Sequence, residues 1–175
     1  MTATQTTLSA LERSWQMVDA ALADLDDATL ASRPNDHCNS IAWTLWHMNR
    51  VADNFLHTRF QAKAPIWTSD GWHQKFGMPN DAVDFGMGWN AEKVAAWKPP
   101  AKDVLLGYFE AIKGAARSYL GPLTAADLDR QVPFPAPPDT LSIGDVLGVL
   151  LNDNLSHGGQ IAYLRGYYRG MGWYR

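Results

Sequence analysis

The sequence predicts an all-α fold, a four-helix bundle, on three observations. Four segments place apolar residues at alternating steps of three and four, which lays them on one face of a helix. No segment alternates apolar and polar residues as a half-buried strand does. The connection between the second and third of these helices, residues 62 to 100, is far longer than antiparallel neighbours need, so a topology with a crossover is expected.

Taken in order, Leu8, Leu11, Trp15, Val18, Leu22 and Leu25 mark a first amphipathic helix over 7–26, after a polar lead-in. Asp24, Asp26 and Asp27 make a poor C-terminal turn against the helix dipole, so fraying is expected there. Arg33-Pro34-Asn35-Asp36 signals a loop, and Ser40 is a good N-cap for a second helix reaching about Gln61. On that helix Ile41, Leu45, Met48, Ala52 and Phe55 form the apolar centre. Asn49, Arg50, Asp53 and His57 fall on the opposite arc, and His57 is expected in solvent. His47 lies at the flank of the apolar face and is a candidate for the interior, with Trp43 beside it and Asn54 further along.

The crossover is rich in Gly, Pro, Trp and Asp, with short helical turns expected over 71–76 and from an Asn90 cap to Trp97. Its Gly-Met-Gly-Trp-Asn stretch is read as a turn. Pro99-Pro100 opens a third long helix over about 101–120, stopped by Gly121-Pro122. Thr124 caps a short turn, and Val-Pro-Phe-Pro-Ala-Pro-Pro is read as an extended link. Ser142 caps the fourth long helix, which runs to about Gly170. Its core stripe is Ile143, Leu147, Leu150, Asn154, His157, Ile161, Leu164 and Tyr168.

The 175 residues, 46% of them hydrophobic, suffice for one well-packed domain. A net charge of -3 without runs of either sign lacks the electrostatic footprint of a nucleic-acid binder. There is no apolar run of membrane-spanning length and no charged-then-apolar leader, and the lone Cys38 cannot form an internal disulfide, so a cytoplasmic protein is expected. Cys38 precedes the Ser40 cap, where a helix N-terminus could activate a thiol, but an inert cysteine is the simpler reading. His73 stays unassigned, and no phosphate-cradling glycine loop or Gly-x-Ser-x-Gly elbow is present. Eight tryptophans suit either a tight core or an aromatic-lined pocket.

Asp153 and His157, one helical turn apart, lie within an apolar face, where polar groups need a partner. Metal sites in bundles are built from inward side chains on facing helices. His47, Asp153 and His157 together make a workable set for a divalent ion such as Zn²⁺, Ni²⁺ or Fe²⁺, with positions left open for water or substrate. The plain alternative is a buried histidine satisfied by Asp153 or Asn154, with His47 unrelated.

Residues 39–55 (Asn-Ser-Ile-Ala-Trp-Thr-Leu-Trp-His and onward) together with 152–170, Asn-Asp-Asn-Leu-Ser-His-Gly-Gly-Gln and onward, resemble the DinB-like family of damage-inducible bacterial proteins. The resemblance implies a four-helix bundle with up-up-down-down connections, usually a homodimer, holding a divalent metal through three histidines. Its ligand positions map onto His47, Asp153 and His157, and Asp153 departs from the all-histidine pattern. The resemblance further implies metal-dependent transfer of a low-molecular-weight thiol to a small-molecule electrophile held against a tryptophan wall. Gln160, Trp43 and Asn54 would support the ligands or touch substrate, and Arg50 and Arg165 are weaker candidates for substrate carboxylates, each more simply a surface ion pair. A metal-binding protein without turnover, or a bundle that has lost its metal through Asp153, are the other readings.

Overall fold

The computed structural model describes residues 2–174. Twelve elements follow in chain order, of which four long helices form the bundle. These are α1 (Ala3–Leu22), α3 (Ile41–Asp53, continued by a π-helical segment Asn54–Arg59), α7 (Lys102–Leu120) and α9 (Ile143–Arg169). Between them lie short helices α2 (Asp27–Ala31), α4 (Ile66–Ser69), α5 (Trp72–Lys75), α6 (Ala91–Ala96) and α8 (Ala125–Leu128). The predicted caps are in place: the side chains of Ser40, Asn90, Thr124 and Ser142 each accept a backbone N–H three residues on. Among the described residues, no helix is long and apolar enough to cross a membrane.

The core is formed by Leu11, Trp15, Val18 and Leu22 of α1, Ile41, Leu45 and Met48 of α3, Leu105, Tyr108, Phe109 and Ile112 of α7, and Ile143, Val146, Leu147, Leu150 and Ile161 of α9. Burying each large apolar side chain contributes about 1.5–3 kcal/mol. The α9 stripe is buried as its periodicity predicts, except that His157 and Tyr168 stay half-buried.

The order of the helices differs from the up-up-down-down arrangement that the resemblance implied. Glu12 pairs with Arg117 and Asp19 with Lys113, so α1 and α7 are antiparallel. Ser14 meets Asn154 and Asp24 meets Arg165, so α1 and α9 run the same way. Asp53 meets Tyr108 and Phe60 stacks on Tyr119, so α3 and α7 are parallel, while α3 opposes α9. The bundle is up-down-down-up. Only parallel α3 and α7 require the chain to travel back along the bundle, and that is where the long crossover lies.

The second correction concerns the arc of α3 expected to face water. Asn49, Arg50 and Asp53 are buried, because the crossover packs over them. Arg50 Nη2 donates to the carbonyls of Asp81, Ala82 and Asp84 at 3.0, 3.1 and 3.2 Å, and its guanidinium lies over the Trp67 ring. Asp53 accepts from the backbone N–H of Ile66 and Trp67 at 3.0 and 2.9 Å and from Tyr108 Oη at 2.6 Å. The Arg50 and Asp53 side chains stand 3.6 Å apart. Removing one partner of a buried pair costs about 3–5 kcal/mol, because the other charge is stranded. His57 is likewise not a solvated residue: its Nδ1–H donates to Asp53 Oδ1 at 2.7 Å.

Two smaller differences have local causes. The acidic end of α1 stops the helix but does not fray: Asp26 caps α2, Asp27 accepts from the Lys102 N–H, and Asp24 and Asp26 pair with Arg165 and Arg169. Arg165 is therefore committed to that pair and Arg50 to the crossover, which removes both as substrate ligands. The proline-rich link is an antiparallel hairpin, β1 (Gln131–Pro133) with β2 (Thr140–Ser142). Pro133 can end its strand because a two-stranded sheet leaves every residue on an edge.

The Asp53 hydrogen bond raises the His57 pKa above 6.5, against the opposing effect of burial. A raised folded-state pKa means that this contact stabilises most fully below about pH 6.5 and is lost as pH rises through the folded value. The stability gap between the parent and His57→Gln, from urea unfolding, should therefore be widest in mild acid and shrink toward alkaline pH. A gap that is flat or grows with pH would contradict this ion pair.

Candidate metal centre

His47 from α3 meets Asp153 and His157 from α9 where the two helices pass. One ligand atom from each lies within 4.8 Å of the other two. The imidazoles of His47 and His157 stand edge to face with centroids 4.8 Å apart, and His157 Nε2 is 3.4 Å from Asp153 Oδ1. The spacing i, i+4 on α9 supplies two members, and antiparallel packing of α3 supplies the third.

Both rings are oriented by their other nitrogen. His47 Nδ1–H donates to the carbonyl of Phe85 in the crossover, and His157 Nδ1–H donates to Gln160 Oε1 at 2.8 Å. Each contact fixes the tautomer and turns Nε2 toward the shared space. Trp43 stacks on His47 at 5.1 Å, nearly parallel, and holds its ring plane. Burial lowers the His47 pKa, helped by the nearby His157, which favours the neutral imidazole that ligation requires. Burial also opposes charge on His157, but hydrogen bonds to Asp153 and Gln160 and the Asp153 charge outweigh it and raise its pKa.

The donor set fits a divalent cation. Asp153 Oδ2 is buried with no partner among the described residues, a lone carboxylate oxygen that a cation would satisfy. Tetrahedral bonds of about 2.0–2.2 Å place donors about 3.3–3.6 Å apart, a spacing that His157 Nε2 and Asp153 Oδ1 already have, so a cation would need the widest pair of the triad to close by about 1 Å. Two neutral imidazoles and one carboxylate would leave a divalent centre with a net charge of about +1, one less than three histidines would. Asn154 does not take part: its Oδ1 accepts from Trp15 Nε1 at 3.1 Å, which ties α9 to α1.

Two glycines set this geometry. A Cβ at Gly158 would come within 2.7 Å of Ser14 Oγ, so a side chain there would require either Ser14 to give up its hydrogen bond to the Asn154 carbonyl or α9 to shift from α1 beside His157. Gly86 has φ +87°, and a Cβ on it would lie 2.7 Å from the Trp43 ring and 2.8 Å from that of Trp46. Only glycine allows the crossover backbone to settle onto these rings, and doing so places the Phe85 carbonyl on His47. The stretch read as a plain turn therefore begins with a residue that helps build the site. No long-range signal in the sequence links Phe85 to His47.

Beside the triad is a cavity of about 350 Å³ lined by His47 and Asp153 at one part of its wall, and by Val51, Asn54, Phe55, Arg59, Phe85, Phe134 and Val149 elsewhere. Its aromatic wall is phenylalanine, not tryptophan. Trp43, Trp46 and Trp67 are buried in the core, Trp72 and Trp89 pack against it half-buried, and His73 Nδ1–H donates to the Trp67 carbonyl. Asn54 lines the cavity. Cys38 lies apart, half-exposed in an outer groove that also includes Thr44, Gln160 and Tyr163.

These features define a class: a helical bundle with a two-histidine, one-carboxylate cluster between facing helices. Residues 10–161 match the DinB superfamily, and the protein belongs to that superfamily. It is similar to a solved structure, the conserved protein of locus from Enterococcus faecalis, over 98% of this chain and 99% of that one, with a TM-score of 0.86 and 24% identity. That likeness shows the fold alone. No curated protein matches the chain.

If Gln160 holds the His157 ring, Gln160→Ala should weaken metal binding about 10- to 100-fold while leaving helix content unchanged, measured by competition with a metal indicator dye. Unchanged affinity would remove Gln160 from the site.

Proposed function

We propose that the protein binds a divalent metal, Zn²⁺, Ni²⁺ or Fe²⁺, through His47, Asp153 and His157, and uses it to transfer a small thiol to an electrophile in the adjoining cavity. The observation that carries the metal reading is the convergence of the three donors with both Nδ1 atoms already engaged. Bound there, the ion would supply the positive charge that keeps a thiol ionised near neutral pH.

The chain's own residues supply the rest. Phe85 and Gln160 hold the imidazoles with Nε2 forward, and Trp43 prevents the His47 ring from rotating away. Val51, Phe55, Phe134 and Val149 offer an apolar wall that holds an electrophile and excludes water. The transfer forms a sulfur–carbon bond as a leaving group departs with its electron pair, and the thiol proton passes to solvent.

The test is thiol consumption with cysteine and glutathione as nucleophiles and 1-chloro-2,4-dinitrobenzene as electrophile, after loading with each metal in turn. Thioether should form well above background with at least one metal, and formation should vanish with a chelator and in His157→Ala. Stoichiometric metal binding with no thiol loss would favour the metal-binding reading without turnover. Absence of metal binding would leave the bundle that lost its metal.

A further inference from the structure

The wall of the cavity beside the triad includes a cation with no carboxylate paired to it among the described residues. Arg59 ends the π-helical segment of α3, which widens the helix by one residue per turn, a local feature frequent at functional sites. Its guanidinium lies between the rings of Phe55 and Phe134, 5.6 and 5.7 Å from their centroids. Its Nη1 donates to the Pro133 carbonyl at 3.1 Å, and its Nε is buried with no partner among the described residues. Among the described residues Arg59, like Arg13, Arg33 and Arg130, has no carboxylate within ion-pair distance, and of these four it is the one that lines this cavity. A half-buried guanidinium stays charged at neutral pH and presents a fork matched to a carboxylate.

A second unsatisfied group belongs to a residue of the same wall. Asn54 is 4% exposed and lines the cavity, and its Oδ1 has no partner among the described residues. A turn of the amide would let it accept an O–H or N–H from a bound molecule. The remaining wall is apolar, and Asp153 makes the triad end of the cavity anionic. In the metal-free protein, opposite charges at two places in one cavity orient a ligand: a carboxylate is drawn to Arg59 and repelled by Asp153. His47 and Arg59 are twelve residues apart on one helical rod, at most about 18 Å of helix rise, and the long Arg59 side chain brings both to the wall of one cavity. A volume of about 350 Å³ lies at the lower end of the range for small-molecule sites, about 300–1,000 Å³.

We infer that the cavity takes a small carboxylic acid with an apolar body, its carboxylate paired with Arg59 and its far end against His47 and Asp153. A hydroxyl or amide N–H midway along it would meet Asn54. This rests on the reading that the cavity is where the protein meets its small-molecule substrate, and names the chemistry of that substrate.

The experiment compares 4-phenylbutyrate with its neutral amide, 4-phenylbutanamide, by calorimetry on the full chain. It is done on chelator-treated protein, so that no carboxylate–metal bond contributes and metal uptake, measured separately, can fail or succeed independently. The acid should bind about tenfold or more tightly than the amide. Arg59→Gln should abolish that preference, Arg59→Lys should keep part of it, and Val149→Trp, at a half-exposed wall position, should block both ligands. Equal binding of acid and amide to the parent, or binding of neither, would overturn the inference, and neither outcome depends on whether a variant folds. A preference that survives Arg59→Gln, or binding undiminished by Val149→Trp, would also overturn it by placing the ligand elsewhere.

Discussion

The structure depends on a buried ion pair, Arg50 with Asp53, on the outer face of α3. Each partner alone would be a stranded charge, and the pair is itself enclosed by the crossover: Arg50 takes three carbonyls from residues 81 to 84, and Asp53 takes two N–H groups at the start of α4. A long connection without regular structure needs such anchors, since its backbone polar groups have no ladder to satisfy them. The consequence reaches the candidate site through one peptide unit. Residues 81–84, fixed on Arg50, lead directly into Phe85, whose carbonyl sets the tautomer and orientation of His47. A polar pair remote from the triad in chemistry thus controls where one of its donors points.

The sequence made the helices legible because periodicity and capping are local. Ser40, Asn90, Thr124 and Ser142 start helices where their side chains say they should, and the α9 stripe is buried as spaced. The clustering of His47 with Asp153 and His157 was also foreseeable, since two residues shared a turn and the third lay on a facing helix. What failed was the inference from polarity to exposure on α3. Arg50, Asp53 and His57 look like a solvent arc only if nothing covers it, and what covers it lies up to 34 residues further along the chain. Helix order failed for a different reason: the length of the connection announced a crossover without fixing the direction of the helices it joins, and up-up-down-down came with the family resemblance. Phe85, Gly86 and Arg59 acquire their roles only from tertiary placement.

The carboxylate at position 153 gives the triad a character that three imidazoles would not have. It raises the proton affinity of His157 in the absence of a cation and would lower the charge of a bound divalent centre. Without a cation it also divides the adjoining cavity electrostatically, with an anion at the triad and the Arg59 guanidinium elsewhere on the wall. One substitution thus bears on both the metal and the orientation of whatever small molecule enters.

The most direct test of the account is the metal content of untagged protein purified without a chelator, by elemental analysis, alongside His47→Ala and His157→Ala. The account predicts close to one divalent ion per chain in the parent and a large loss in both variants, with their helical circular dichroism preserved. A parent that carries no metal and takes up neither Zn²⁺, Ni²⁺ nor Fe²⁺, or variants that retain the full complement, would contradict it.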